Sequence, residues 1–307
     1  MNYQHIEHVI AVELQQTIHQ YYQAARFDQA QFDPAFWLQR LSLLVPQFQN
    51  VCLYPSQFEF DIWLSCFMVC YQQSLLEMKI QYLPKPSDST FDQFIIILMQ
   101  KLEKQFTSVN IGEQLKQRDE IEAKQQEKEI ERYHRVTQFV HEPIPVHFFC
   151  RYHPEVVSGI SILAMAMHIK SFEKALQRIF EQYGCIYSYR SIFRDTQQQQ
   201  YVAVYSLAFN TKLMNQAGHE HLIVLLNQLW QQSSSGYGSP LEIDSMHAWQ
   251  DRLIDPVSLL LRQVEGLSIE DMIQHKLSMV GENIEEVVIR PRRFKLTQGK
   301  ANKGFVF

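Results

Sequence analysis

The sequence predicts an α+β protein: a predominantly helical N-terminal lobe followed by a small antiparallel sheet packed with helices. Three observations carry this expectation. Apolar residues recur at three and four over the first 105 residues, the spacing of helices that bury one face. From Asn110 to Arg135 the chain turns almost wholly polar, in "NIGEQLKQRDEIEAKQQEKEIERYHR". Beyond it the patterning follows the order strand, helix, strand, strand, helix, which describes a small antiparallel sheet with helices on one face. The expected boundaries are a helical lobe over 1–108, a charged connecting helix over 109–140, an α+β domain over 141–285 and a basic C-terminal tail over 286–307.

Each element has a local reason. "IEHVIAVELQQTIHQYYQAARF" is amphipathic, and "DPAFWLQRLSLLVPQF" opens with Asp33 as a cap and Pro34 at the first helical position. Pro46 and Pro55 bound the next connection. "FEFDIWLSCFMVCYQQSLLEMKIQYL" reads as one long apolar helix that stops before the loop "PKPSDST". "FDQFIIILMQKLEKQF" follows, with Ser89 or Thr90 as its cap. In the charged stretch, apolar residues fall at Ile111, Leu115, Ile121 and Ile130, the mark of a solvated helix or a spacer between lobes. "PIPVHFFCRYH" alternates as a strand does, and "SGISILAMAMHIKSFEKALQRIFEQYG" is a helix closing on Gly184. A hairpin spans Tyr183 to Asn210, its polar turn rich in glutamine. "GHEHLIVLLNQLWQQSSS" is most simply a helix, "SSSGYGSP" a loop, and "DPVSLLLRQVEGLSIEDMIQHKLSMVG" one or two helices more.

Composition removes several functions. Apolar residues make up 46% and charged residues 20% of 307, a globular balance. There is no G-x-G-x-x-G and no G-x-x-x-x-G-K-[ST], so neither glycine-rich phosphate loop is present. The five cysteines form no C-x-x-C pair; Cys66 and Cys70 share a helical face but lack further ligands for zinc, so buried reduced thiols and a cytoplasmic location are expected. "FIIILM" is too short to span a bilayer, and no membrane partner is expected. No cofactor is expected either. The net charge is -5, yet the six cations of "RPRRFKLTQGKANK" carry no acidic neighbour, and the chain outside them stands at -11.

Residues 143–232 resemble the palm of the inovirus-type (Gp2 or YagK/YfjJ-like) replication proteins. The resemblance lies in the order and spacing of "VHFFCRYH", "KSFEKALQRIFEQYG", "CIYSYRSIFRD", "QYVAVYSLAFN" and "HLIVLLNQLWQQ". It implies a cytoplasmic nucleic-acid-binding protein of a plasmid, phage or mobile element, with an antiparallel-sheet palm. The family carries a His-x-His pair on the strand that here reads "QQYVAVYS", so metal-dependent nicking through this strand is not implied.

The candidate nucleic-acid-binding residues are Arg290, Arg292, Arg293, Lys295, Lys300 and Lys303 in the tail, with Arg190 and Arg194 on the hairpin. The bland readings are a solvated or docked tail and a local ion pair with Asp195. Tyr187, Tyr189, Phe193, Tyr201 and Tyr205 alternate along the hairpin, as a stacking platform for bases or as core. His141, His147 and His153 bracket the first strand, as polar residues of a half-exposed strand or part of an acid–base pair. Two further functions stay open. One is a non-enzymatic assembly subunit working through the helical lobe and the charged helix. The other is a metal-dependent DNA-nicking enzyme using His219, His221 and Tyr237, which requires that "GHEH" begin a strand and not a helix.

Overall fold

The computed structural model describes residues 3–27, 32–53, 55–108, 111–140, 143–217, 219–244, 268–275 and 284–302. The α+β class holds, with a helical N-terminal region. The chain forms two compact units, Met1–Glu120 with Val288–Arg293, and Ile121–Val287 with Phe294–Phe307. Among the described residues no helix is long and apolar enough to cross a membrane.

The first unit packs α1 (Tyr3–Phe27), α2 (Pro34–Leu53), α3 (Ile62–Met78) and α4 (Ser89–Ser108) around Leu14, Ile18, Leu41, Phe67, Phe94 and Leu98, all fully buried. Asp33 accepts from the Ala35 N–H at 2.9 Å and Pro34 opens α2, as the sequence implies. The expected break at Pro46 does not occur, and α2 runs through it to Leu53. A proline inside a helix costs about 3 kcal/mol. Burial of Leu44, Val45, Phe48 and Val51 on either side outweighs that local loss. The expected third helix also starts late. Asp61 takes its N-cap, its carboxylate accepting from the Leu64 N–H at 2.8 Å, and the residues before it form strand β1 (Phe58–Phe60). β1 pairs antiparallel with Ile289–Pro291, the seventh strand in chain order (β7).

The helix α5 (Ile111–Thr137) passes through the division at Glu120 into the second unit. There follow β2 (Ile144–Cys150), α6 (Ile162–Tyr183), β3 (Cys185–Asp195), β4 (Gln200–Phe209), α7 (Thr211–Ala217), α8 (His219–Ser233), β5 (Glu242–Asp244), α9 (Ile269–His275), β6 (Ile284–Glu285) and β8 (Thr297–Ala301). The antiparallel sheet runs β5-β2-β4-β3-β6, with β8 also paired to β3. β4 therefore lies between the two strands joined by α6, and the chain returns through α8 to set β5 beside β2. That is the split βαβ arrangement, twice interleaved. The hairpin turn is Thr196–Gln199 alone. Gln200 belongs to β4 and is buried, its Oε1 accepting from the Tyr152 N–H at 2.9 Å. Gly184 closes α6 at φ 68°, as its sequence position implies.

Two expectations need correction. Helices cover both faces of the sheet, not one. Phe148, Tyr205 and Phe172 pack with Trp230 on the side of α6 and α8. On the other side, Val136 of α5 and Ile269 and Ile273 of α9 pack with Tyr187 and Tyr189, beside Ile130 and Tyr133. Ile130, Tyr133 and Val136 fall at three-residue spacing, so the end of the charged helix carries an apolar stripe and is not wholly solvated. The second correction concerns the solvated reading of the basic tail; the docked reading is the one the strand pairing matches. Its described residues are neither free nor solvated along their length: Ile289–Pro291 pair with β1 and Thr297–Ala301 extend the sheet at β3. The bare edge of β3 offers unpaired backbone groups, and β8 satisfies them.

Candidate nucleic-acid interface

The eight sequence-predicted residues do not form one cluster. Arg290, Arg292 and Arg293 belong to the first unit, and Arg190, Arg194, Lys295 and Lys300 to the second. Lys303 and His141 lie outside the described residues. Arg290 is ion-paired to Glu59, with Nη2 2.8 Å from Oε2 and Nε donating to the same oxygen at 3.0 Å. Glu59 also accepts from the Arg293 N–H at 3.1 Å; that bond, then the Arg290 charge, holds its carboxyl below the usual range. The Arg292 and Arg293 side chains are exposed. Arg194 is buried, with Nη1 3.4 Å from Glu285 and Nη2 donating to Gln199, so it works as an internal tie at the hairpin end.

Arg190 has different surroundings. Register places it opposite Tyr205 on β4 and Gln298 on β8, and Tyr205 in turn opposite Phe148 on β2. Register partners point to one side of the sheet, so a row of Phe148, Tyr205, Arg190 and Gln298 crosses it. Phe148 and Tyr205 stack with centroids 5.1 Å apart, and the aromatic row ends in a guanidinium. Arg190 is 2% exposed. Its Nη2 donates to the Lys295 carbonyl, and its guanidinium lies 4.9 Å from the Phe294 ring centroid. Glu173 Oε1 stands 3.0 Å from Nη1, a charge contact without hydrogen-bond alignment. Nε and Nη1 of Arg190 and the Tyr205 hydroxyl meet no partner in hydrogen-bond geometry. Burial, with the Glu173 charge second, raises the Tyr205 phenol well above its usual pKa, so it stays a neutral donor.

A cavity of about 180 Å³ opens here, lined by Glu173, Ser188, Arg190, Tyr205, Gln298 and Lys300. Helix α6 forms one wall. Lys170 lies 6.0 Å from the Phe294 ring, and Gln177 accepts from Lys300 Nζ at 2.6 Å, so segment 294–300 runs beside the helix. Lys170, Lys174 and Arg178 are exposed at four-residue spacing, which sets them on one side of α6 as a cationic stripe. With exposed Lys295 and Lys300 this makes five surface cations around a buried sixth. The sequence reading did not single out the helical three. "IKSFEKALQR" carries them at i, i+4 and i+8, and that spacing is the signal that finds them.

The remaining candidates fall elsewhere. Tyr187, Tyr189, Phe193, Tyr201 and Tyr205 are all buried, so the hairpin aromatics are core and present no stacking platform. His147 is buried with Nδ1 2.9 Å from Ser206 Oγ, whereas His153 is exposed at the end of the strand region. His219 begins helix α8, so positions 219 and 221 stand about 200° apart around the axis and do not face a common point. His221 Nδ1 lies 2.8 Å from the Tyr183 hydroxyl, and Tyr237 is half-exposed in the turn after α8. Among the described residues no three His, Cys, Asp or Glu side chains converge on a point where a metal ion could sit. The five cysteines are free thiols, four of them buried. Comparison with protein-family models, with curated proteins and with solved structures returns no match to this chain.

Proposed function

We propose that this is a nucleic-acid-binding protein whose second unit grips the phosphate backbone along α6 and the β8 edge. The single observation that carries the reading is a cationic set: Lys170, Lys174 and Arg178 exposed along α6, the helix whose Glu173 lines the cavity, and exposed Lys295 and Lys300 on the segment beside it, with buried Arg190 in the cavity wall. The split βαβ sheet agrees with the expected relation to replication-initiator palms of plasmids, phages or mobile elements, and the cytoplasm is the matching location. Binding in this reading involves no strand cleavage, since β4 carries Tyr201, Val202, Ala203 and Val204 where the paired histidines of such palms would stand. Bases do not stack on the sheet, because helices cover it. Recognition runs through phosphates and is therefore steeply salt-dependent.

The test is fluorescence anisotropy of labelled single- and double-stranded oligonucleotides between about 50 and 200 mM salt. The triple change Lys170→Gln, Lys174→Gln, Arg178→Gln lowers the slope of log K against log salt by roughly 2 to 3, at about 0.7 to 0.9 for each phosphate no longer neutralised. Absence of salt-dependent binding by the wild-type chain defeats the reading.

A second reading, an assembly subunit, has its own observation. Phe36 and Leu43 on α2, and Val69 and Leu76 on α3, are exposed apolar pairs at seven-residue spacing. Leu43→Glu with Leu76→Glu should lower the sedimentation coefficient if these faces hold a partner or a second copy; an unchanged value removes this reading.

A further inference from the structure

The cavity at Arg190 has a chemistry more specific than a cationic surface. We propose that it is a site for a single phosphate group, received by Arg190 and Lys300 when the Glu173 carboxylate swings aside. This deepens the nucleic-acid reading without depending on it, because a free phosphate ester would satisfy the same groups.

The donors are already in place. Arg190 is buried to 98% of its surface, lines the cavity, and holds Nε and Nη1 without hydrogen-bond partners. Buried polar groups are almost always paired, and a charged donor left without a partner is costly. The Tyr205 hydroxyl, on the same wall, also lacks an aligned hydrogen bond and faces the Arg190 guanidinium. Such a set is the expected resting state of a pocket whose partner arrives from outside. A guanidinium whose Nε–H is unpartnered and whose Nη1 meets only a misaligned carboxylate can present both to two oxygens of one phosphate, and the phenol suits a third.

Glu173 is the stand-in. It sits 3.0 Å from Nη1 but lies out of hydrogen-bond alignment, and its side chain is about a third exposed. It therefore balances the Arg190 charge without meeting its donors. Because its side chain already reaches solvent from the middle of α6, it can rotate to water without disturbing the helix. Arg190 and Lys300 carry two positive charges against its one negative charge, and the net single positive charge suits a phosphodiester or a singly ionised phosphate ester. Lys300 reaches the rim from β8, held by Gln177 at 2.6 Å. Lys170, Lys174 and Arg178, exposed on the helix that forms one wall, raise the local concentration of anions.

Isothermal titration tests this on the full chain with inorganic phosphate and thymidine 5′-monophosphate, with thymidine as the uncharged control. Anisotropy of 5′-phosphorylated against 5′-hydroxyl oligothymidylate covers the nucleic-acid source. Glu173→Gln keeps the shape and removes the competing charge, so phosphate binds about five- to tenfold tighter. Lys300→Met, an exposed change that spares the fold, weakens it about three- to tenfold. Circular dichroism confirms that both variants are folded. A phosphate affinity that Glu173→Gln leaves unchanged or weakens overturns the site, as does a wild-type chain that binds neither phosphate nor the monophosphate. Salt-dependent oligonucleotide binding that ignores a 5′-phosphate, with no response to free phosphate, overturns the site and leaves the proposed function standing. Phosphate binding strengthened by Glu173→Gln, with no oligonucleotide binding, supports the site and defeats the nucleic-acid reading. A preference for the phosphorylated oligonucleotide that Lys300→Met abolishes supports both.

Discussion

Replacing Arg190 with methionine separates an arginine kept for a ligand from one kept for the fold. The change removes the charge-assisted bond to the Lys295 carbonyl, worth about 1.5–3 kcal/mol. It also removes the ion pair with Glu173, worth about 0–1 kcal/mol because Glu173 reaches water, and the stacking on buried Phe294, worth about 2 kcal/mol. Against these terms, the buried Nε–H no longer stands without a partner, at about 1–3 kcal/mol. The thioether regains about 0.3–1.5 kcal/mol on the Phe294 ring. The opposing effects cancel to within about 2 kcal/mol. The assay is native-state hydrogen exchange of the β3 and β4 amides, since Trp37 and Trp63 lie in the first unit and Trp230 in the second, and bulk fluorescence mixes them. Arg190→Met should lower this protection by about 2 kcal/mol or less while abolishing phosphate binding. A destabilisation above about 4 kcal/mol would show that Arg190 is a structural tie and that its free donors mean nothing for ligands.

Other consequences can be checked separately. Because Glu59 has a folded pKa below its usual value near 4.5, its contribution to β1–β7 pairing is complete above that value and is lost as pH falls through the folded pKa. Protection factors of the Phe58–Phe60 amides should drop between about pH 5 and 3, and Glu59→Gln should flatten the profile. Burial raises the pKa of Asp61, so Asp61→Asn, which keeps the cap acceptor and removes the buried charge, should match or exceed wild-type stability at neutral pH. Asp61→Ala should lose about 1 kcal/mol in urea unfolding. At Gly238 an added Cβ would collide with Trp230 Nε1, the atom that donates to the Arg151 carbonyl at 3.0 Å. Gly238→Ala should therefore cost about 1–3 kcal/mol and change the near-ultraviolet circular dichroism of Trp230; an unaltered spectrum would contradict the packing.

What the sequence made legible was whatever depends on near neighbours. Asp33 and Pro34 announce α2, Gly184 ends α6, and the alternation through Tyr201 and Tyr205 marks β4, each from a few adjacent residues. The misreadings share one cause, the reach of distant partners. Pro46 breaks an isolated helix but not one buried along both flanks. Phe58–Phe60 look helical until β7 supplies their hydrogen-bond partners. The basic residues from Arg290 onward look like a tail because nothing local reveals that β1 and β3 have open edges. The candidate site was half legible. Arg190 and Lys300 stand out in the sequence, but their convergence with Glu173, Tyr205 and α6 depends on register across three strands. It follows that deleting residues 290–307 is a poor test of nucleic-acid binding, since it strips a strand from each unit along with the cations.

The β1–β7 pair also sets a timetable for synthesis. Arg290 follows Glu59 by 231 residues, so a ribosome working at roughly 5–20 residues per second makes β1 about 10–45 s before its partner exists. All of the helices and the hairpin between them emerge during that wait. β3 waits too, although for less time, until segment 294–301 arrives to close its edge. Neither unit can finish folding while the chain is still short of Val288, and a nascent chain stalled after Asp195 but before Val288 displays two raw strand edges at once. Until residues 288–301 are made, such a chain is open to edge-to-edge pairing with other chains.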